Sequence, residues 1–198
     1  MNKIIFATNN QHKVDEMKSI LGHVFQVVSL KEAGILVEIP EPYNTLEENA
    51  WEKSRTIFRL VREDCFSEDT GLEVDALAGQ PGVRSARFAG EKATSDENVA
   101  KLLHVLSGNR NRNARFRTVI SLMMNGVEHQ FEGICEGEIL EAQAGDGGFG
   151  YDAVFAPFGS TQSFAEMTTG EKNKYSHRKK AAEKLALFLS QNWKKSSN

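Results

Sequence analysis

Four short stretches carry side chains whose types and spacing could do chemistry. In the first, an apolar run from Ile4 to Ala7 empties into Thr8-Asn9-Asn10-Gln11-His12-Lys13. A strand end that leads into a helix start favours an anion, because backbone N–H groups and the helix dipole meet there. Thr8 and Asn10 add donors, and Lys13 adds a full charge one turn in. Asn9 suits a tight turn, since asparagine tolerates the left-handed region. The glycine-rich phosphate loop G-x-x-x-x-G-K-[ST] does not occur in the chain. Taken alone, the segment also reads as an ordinary capped turn with a solvated lysine.

The second stretch runs from Ser67 to Gly90 and opens with Glu68 and Asp69 directly off an apolar strand. Two adjacent carboxylates at a strand end cannot both point into a core, and Thr70-Gly71 forces a turn. Such a pair suits a hard divalent cation such as Mg²⁺ shared with a phosphate, and a carboxylate there could deprotonate water. An exposed acidic turn is the plain alternative. The third stretch packs Gly145, Gly147, Gly148 and Gly150 around Phe149 and Tyr151. Glycines beside aromatic rings let a flat ligand approach and stack, although both rings could equally be core. The fourth gathers Lys172, Ser176, His177 and Arg178 at the expected start of the last helix. Cations disfavour that end of a helix dipole, so a bound anion or an electron-rich base would offset the conflict.

The elements that must position these groups alternate along the chain. Strands are expected at Ile4–Ala7, Phe25–Leu30 and Cys65–Ser67. A helix over Lys13–Leu21 buries Val14, Met17, Ile20 and Leu21. Thr45-Leu46-Glu47-Glu48 has capping-box spacing and predicts a helix to about Glu63. Thr94 or Ser95 caps another, with Val99, Leu102, Leu103 and Leu106 inside. Two long strands, Arg115–Asn125 and Val127–Ile139, meet at Asn125-Gly126, a two-residue hairpin signal. A strand at Ala153–Ala156 precedes one last helix from about Lys172 to Asn192. The order fits an α/β protein with a long mixed sheet flanked by helices, and 198 residues at 40% hydrophobic suit one globular domain, or two lobes sharing a core. A net charge of −3 argues against a general nucleic-acid binder, and no apolar run is long enough to span a membrane. Cys65 and Cys135 lack metal-ligand spacing and read as buried thiols of a reducing cytoplasm.

Together the four stretches resemble the inosine triphosphate pyrophosphatase family, from Thr8 to about Leu189. The resemblance rests on Thr8-x-Asn10-x-x-Lys13, Ser67-Glu68-Asp69-Thr70-Gly71-Leu72-x-Val74, Pro81-Gly82-Val83-x-Ser85-Ala86-Arg87, Phe149-Gly150-Tyr151-Asp152, and Glu171-Lys172-Asn173 with Ser176-His177-Arg178. It departs at Asn9, where the family usually has glycine, and at Ala153, where proline commonly follows. The resemblance implies an elongated α/β fold, with a long mixed central sheet and a nucleotide cleft between two lobes. It also implies hydrolysis of the α–β phosphoanhydride of ITP, dITP and XTP, by a cytoplasmic homodimer that needs Mg²⁺. On that reading Thr8, Asn9, Asn10, Gln11, His12 and Lys13 hold the triphosphate together with Lys53. Glu41 and Asp69 bind Mg²⁺, Glu68 is an additional ligand, and Asp69 is the base that activates water. Thr70 touches the nucleotide, and Phe149 stacks on the purine beside Gly150 and Tyr151. Asp152, Lys172, His177 and Arg178 surround the base. The rival readings are a pyrophosphatase for other nucleotides, a non-catalytic nucleotide-binding regulator, and an RNA-binding module built on Arg110, Arg112, Arg115 and Arg117.

Overall fold

The computed structural model describes residues 2–193. Seven strands pair as one mixed sheet in the order β2-β1-β3-β5-β6-β7, with β4 on β3. They are β1 (Asn2–Phe6), β2 (Phe25–Ser29), β3 (Cys65–Val74), β4 (Pro81–Gly82), β5 (Asn113–Met124), β6 (Val127–Ile139) and β7 (Phe155–Pro157). Five helices accompany them: α1 (Gln11–Leu21), α2 (Leu46–Val61), α3 (Ser95–Val105), α4 (Thr169–Tyr175) and α5 (His177–Asn192). This is the expected α/β class with a long mixed sheet. The chain divides into two compact units. The first comprises Met1–Asp69, Val119–Gly133 and Arg178–Asn198; the second comprises Thr70–Thr118 and Ile134–His177.

In the first unit β1 lies parallel between β2 and β3, with Ile5 opposite Cys65 and Phe6 opposite Phe66. Side chains alternate across a strand, so the unit has two cores. Ile4 and Phe6 of β1 join Phe66 and the apolar faces of α1 and α5, with Val14, Met17, Ala181 and Leu185. Phe6 and Phe66 stack with ring centroids 4.5 Å apart. Ile5 and Ala7, pointing the other way, join Cys65 and Ile57 of α2. Thr45 caps α2 by accepting from the Glu48 N–H at 3.2 Å, and Arg62 ends it in the left-handed region. Asn125 and Gly126 both take positive φ, as a tight hairpin between β5 and β6 requires.

The second unit has its own core, where Leu72, Val74, Val99, Leu102, Phe116, Tyr151, Phe155 and Phe164 meet. Thr94 caps α3 in a reciprocal box with Glu97. Both cysteines are buried and neither forms a disulfide; burial pushes the Cys65 thiol up to about 12.

Three sequence expectations are corrected. Thr70-Gly71 is not a turn: β3 runs ten residues straight through it. Gly71 is there because β4 crosses so closely that a Cβ would stand 2.6 Å from the Gly82 carbonyl oxygen. The final helix is two helices, broken at Ser176, whose φ/ψ of −50°/122° is extended. Asn9 is not left-handed; among the described residues the non-glycine positions with positive φ are Arg62, Ala78 and Asn125. Since the atoms a Cβ would meet at position 71 are backbone, no rotamer relieves the clash. Gly71→Ala should cost about 1–3 kcal/mol, read as a lowered urea midpoint at unchanged m-value.

Candidate active site

The placement of the two adjacent carboxylates follows from the two-residue period of β3. Both are buried, against the expectation that they could not be, because consecutive residues of a strand face opposite ways. Glu68 shares its face with Phe66, towards α1 and α5, whereas Asp69 shares its face with Cys65 and Ser67, towards α2.

Glu68 has no exposed side-chain surface, so its charge must be met within the protein. The Arg178 Nε donates to both its oxygens, at 3.1 and 2.9 Å, and Lys13 Nζ lies 3.1 Å from Oε1. Burial would raise the Glu68 pKa, but Arg178 and Lys13 outweigh it and hold the carboxyl at about 2. Arg178, itself fully buried, also ion-pairs through Nη1 with Glu16. Burial opposes the guanidinium charge, and the two carboxylates more than restore it. Glu16 was not singled out from sequence. It lies one helical turn after Lys13 on α1, and that spacing on a shared face was the signal available.

Asp69 and Lys53 occupy the other face. Lys53 Nζ stands 3.1 Å from Asp69 Oδ1 and also ion-pairs with Glu41 Oε1. Lys53 and Asp69 are each only 6% exposed. Burial raises the Asp69 pKa, and Glu41 adds to the rise against the pull of Lys53 and Lys13. Burial opposes the Lys53 ammonium, yet Asp69 and Glu41 together hold its pKa above the ordinary value. Oxygen donors from two carboxylates thus converge on one positive centre, which is the donor chemistry Mg²⁺ takes. Glu68, the third candidate ligand, has its oxygens engaged by Arg178 and Lys13. Among the described residues no three His, Cys, Asp or Glu side chains gather as a metal set.

The loop between β1 and α1 is tied down locally. Asn10 caps α1, its side-chain oxygen accepting from the Lys13 N–H at 3.2 Å, and Thr8 Oγ1 accepts from the Asn10 N–H at 3.2 Å. Asn9 donates to the Val37 carbonyl at 3.1 Å and Gln11 to Asp15 at 2.7 Å. His12 is exposed beside them.

In the second unit Asp152 accepts from the Phe149 N–H at 2.9 Å and from Lys172 Nζ at 2.8 Å. That ammonium also lies 5.3 Å from the Phe149 ring centroid, within cation–π range. Gly148 is required by this arrangement, since a Cβ would fall 2.2 Å from Asp152 Oδ2; Gly145 and Gly147 are pressed against the Ala165 backbone. The loop glycines thus serve the protein's own close packing. Gly150 has positive φ with open space where a Cβ would stand. Tyr151 is core, its hydroxyl donating to the Ser85 carbonyl at 2.8 Å, while Phe149 keeps part of its surface exposed. The His177 ring stacks on Phe116 at 4.7 Å, and the Thr70 and Thr118 hydroxyls share a 2.6 Å hydrogen bond. The helix break at Ser176 removes the expected dipole conflict for Lys172, which sits in the last turn of α4.

An α/β fold with lysine–carboxylate sets buried on both faces of the central strand β3 belongs to the broad class of folds that can host phosphate and divalent-ion chemistry. Comparison with known proteins narrows the class. The family model described as the Ham1 family matches residues 4–188. A dITP/XTP pyrophosphatase of Porphyromonas gingivalis is 49% identical over 190 residues, 96% of this chain and 98% of its own. One from Flavobacterium johnsoniae is 44% identical over 187 residues, 94% and 97% of the two chains. Among solved structures, a HAM1 protein from Coxiella burnetii superposes with a TM-score of 0.88 at 34% identity, covering 96% of this chain and all (100%) of that one. The chain belongs to the Ham1 family.

The low pKa of Glu68 has a stability consequence whose sign is fixed. Its folded value of about 2 lies below the ordinary 4.5, so its contribution is complete above pH 4.5 and is lost as pH falls towards 2. Between pH 5 and pH 3 the unfolding free energy of the native protein should therefore drop by about 2 kcal/mol more than that of Glu68→Gln. Asp69, whose shift is opposite, is common to both proteins and cancels in the difference. Urea titrations at the two pH values measure it.

Proposed function

We propose that this protein hydrolyses the α–β phosphoanhydride of non-standard purine nucleoside triphosphates (ITP, dITP and XTP), giving the nucleoside monophosphate and pyrophosphate. The observation that carries the reading is the identity of 44–49% to dITP/XTP pyrophosphatases over nearly the whole length of both chains.

The site chemistry supports it. A triphosphate needs a local positive field in a protein of net charge −3. Lys13, Lys53 and the start of α1 supply one, with Thr8, Asn9, Asn10, Gln11 and His12 lining the turn. Phosphoryl transfer demands positioning and charge stabilisation, with no nucleophilic serine or cysteine. Asp69 acts as the base, taking a proton from the attacking water; a carboxylate whose pKa is raised by burial is better matched to that task near neutral pH. Glu41 and Asp69 would hold Mg²⁺, which when bound neutralises phosphate charge. Glu68 serves by fixing Lys13 and Arg178.

Thr70, Phe149, Gly150, Tyr151, Asp152, Lys172 and His177 take the nucleoside end, with Phe149 as the stacking surface. Donors at that end favour the 6-oxo group over adenine's amino group, since a mismatched base leaves buried polar groups unpaired. The proposal extends to a cytoplasmic homodimer; sedimentation at micromolar concentration would test the dimer. No described helix is long and apolar enough to cross a membrane.

Pyrophosphate release from dITP, XTP, GTP, ATP and dUTP, with Mg²⁺ and with EDTA, tests the whole reading. Strong Mg²⁺-dependent release from dITP and XTP is expected, with little from the others; equal release from all five would remove the base assignments. Asp69→Asn should keep nucleotide binding and lose at least ~10²-fold in turnover. It should also lose the limb of the native profile on which rate climbs with pH as Asp69 deprotonates. Lys53→Ala should raise KM or lower kcat, and unchanged kinetics would displace Lys53 from the phosphate grip.

A further inference from the structure

We propose that Lys53 is an internal stand-in for the divalent cation, holding Glu41 and Asp69 as a preformed ligand pair and exchanging partners when metal and triphosphate arrive together. The inference rests on the reading of Glu41 and Asp69 as the metal ligands. It concerns what governs their occupancy.

Three observations lead to it. The Lys53 ammonium lies between both carboxylates at once, 3.1 Å from Asp69 Oδ1 and ion-paired with Glu41 Oε1. Its setting is nearly dry on one side and wetter on the other. The side chains of Lys53 and Asp69 are 8% and 9% exposed, whereas that of Glu41 is 33% exposed and offers the way in for an ion. The same masking recurs across the sheet, where Lys13, the other lysine assigned to phosphate, is paired with Glu68. Both phosphate-binding lysines are therefore already occupied by carboxylates.

Charge decides the order of events. One ammonium facing two carboxylates leaves a single net negative charge in a poorly solvated place. A divalent ion entering alone would stand beside that ammonium, and the two cations repel strongly where water is scarce. The metal binds well only if Lys53 leaves, and Lys53 leaves readily only if an anion receives it. A polyphosphate is such an anion. Metal and triphosphate thus bind as a coupled pair, each raising the affinity for the other by the same factor. Neither Mg²⁺ alone nor metal-free triphosphate should fill the site well.

The test uses Mg²⁺ alone as the probe, titrated calorimetrically into metal-stripped protein without nucleotide. Lys53→Met, which removes the charge and keeps the bulk, should bind Mg²⁺ at least ~10-fold more tightly than the native protein. A variant that binds Mg²⁺ no more tightly than the native protein overturns the proposal. If Lys53→Met fails to fold, the native protein with ¹⁵N-labelled lysine gives the answer. Saturating Mg²⁺ together with a non-hydrolysable triphosphate analogue should shift the Lys53 ammonium resonance, and Mg²⁺ with the Glu41→Gln protein should not. An ammonium signal unmoved by the pair would overturn the exchange. Pyrophosphate release by the native protein tests the underlying function separately. Activity with no gain of Mg²⁺ affinity in the variant sinks only the exchange, whereas absence of activity sinks the functional reading while the binding data still decide whether Lys53 excludes the ion.

Discussion

A fully buried carboxylate that stays ionised is the constraint on which the first unit depends. Glu68 has no water to turn to, so its negative charge exists only because Arg178 and Lys13 reach it. Those cations come from α5 and α1, which must therefore dock with β3 at fixed depth and rotation. Hydrophobic burial holds the same three elements together through Phe66, Met17 and Leu185, but apolar contact tolerates sliding that short charge-assisted hydrogen bonds from one guanidinium to Glu68 and Glu16 do not. Packing supplies most of the stability, and the ion pairs supply the alignment. Removal of Arg178 would leave Glu68 with Lys13 alone, and removal of Glu68 would leave Arg178 with Glu16 alone, so in either case a buried charge is left under-compensated.

The opposite face of β3 uses the same components to a different end. Asp69 shares its cation with Glu41, so negative charge exceeds positive there, and burial raises its pKa where that of Glu68 is depressed. Neighbouring residues of one strand thus have opposed electrostatic fates, one fixed as a structural anion and the other poised to accept a proton. In the second unit the corresponding economy is Lys172, which at once satisfies Asp152 and lies against the Phe149 ring.

Much of this was readable from the sequence, and the failures have physical causes. The helices α1 to α3, their caps and the Asn125-Gly126 hairpin follow from local chemistry, and local chemistry does not depend on distant partners. The sequence alone ends β3 too early because Glu68, Asp69 and Gly71 are poor strand residues by propensity. Their place in a strand depends on cations from other elements and on the close passage of β4. The helix break at Ser176 has no local signal, because the surrounding residues continue a helical pattern well. Lys13, Glu68 and Asp69 stand out as residue types, whereas Lys53 enters only through the family resemblance. Glu16 does not stand out, since its partner Arg178 lies 162 positions away in the chain. Tyr151 and the loop glycines looked ligand-facing, yet they answer first to internal packing.

The alternation of Glu68 and Asp69 across β3 also bears on how the chain finds its fold. A strand that pairs one residue out of register exchanges its two faces. In β3 such a slip would carry Glu68 towards Lys53 and Asp69 towards the Arg178 side, where the shorter side chain falls short of the guanidinium. Hydrophobic residues occupy both faces of this strand, so Cys65 and Phe66 would both remain covered after the slip, although the Phe66 ring would then have to fit where the smaller Cys65 packs. The two carboxylates, differing by one methylene, therefore add a charge mismatch to that size mismatch, so that the native ion pairs also disfavour the slipped register.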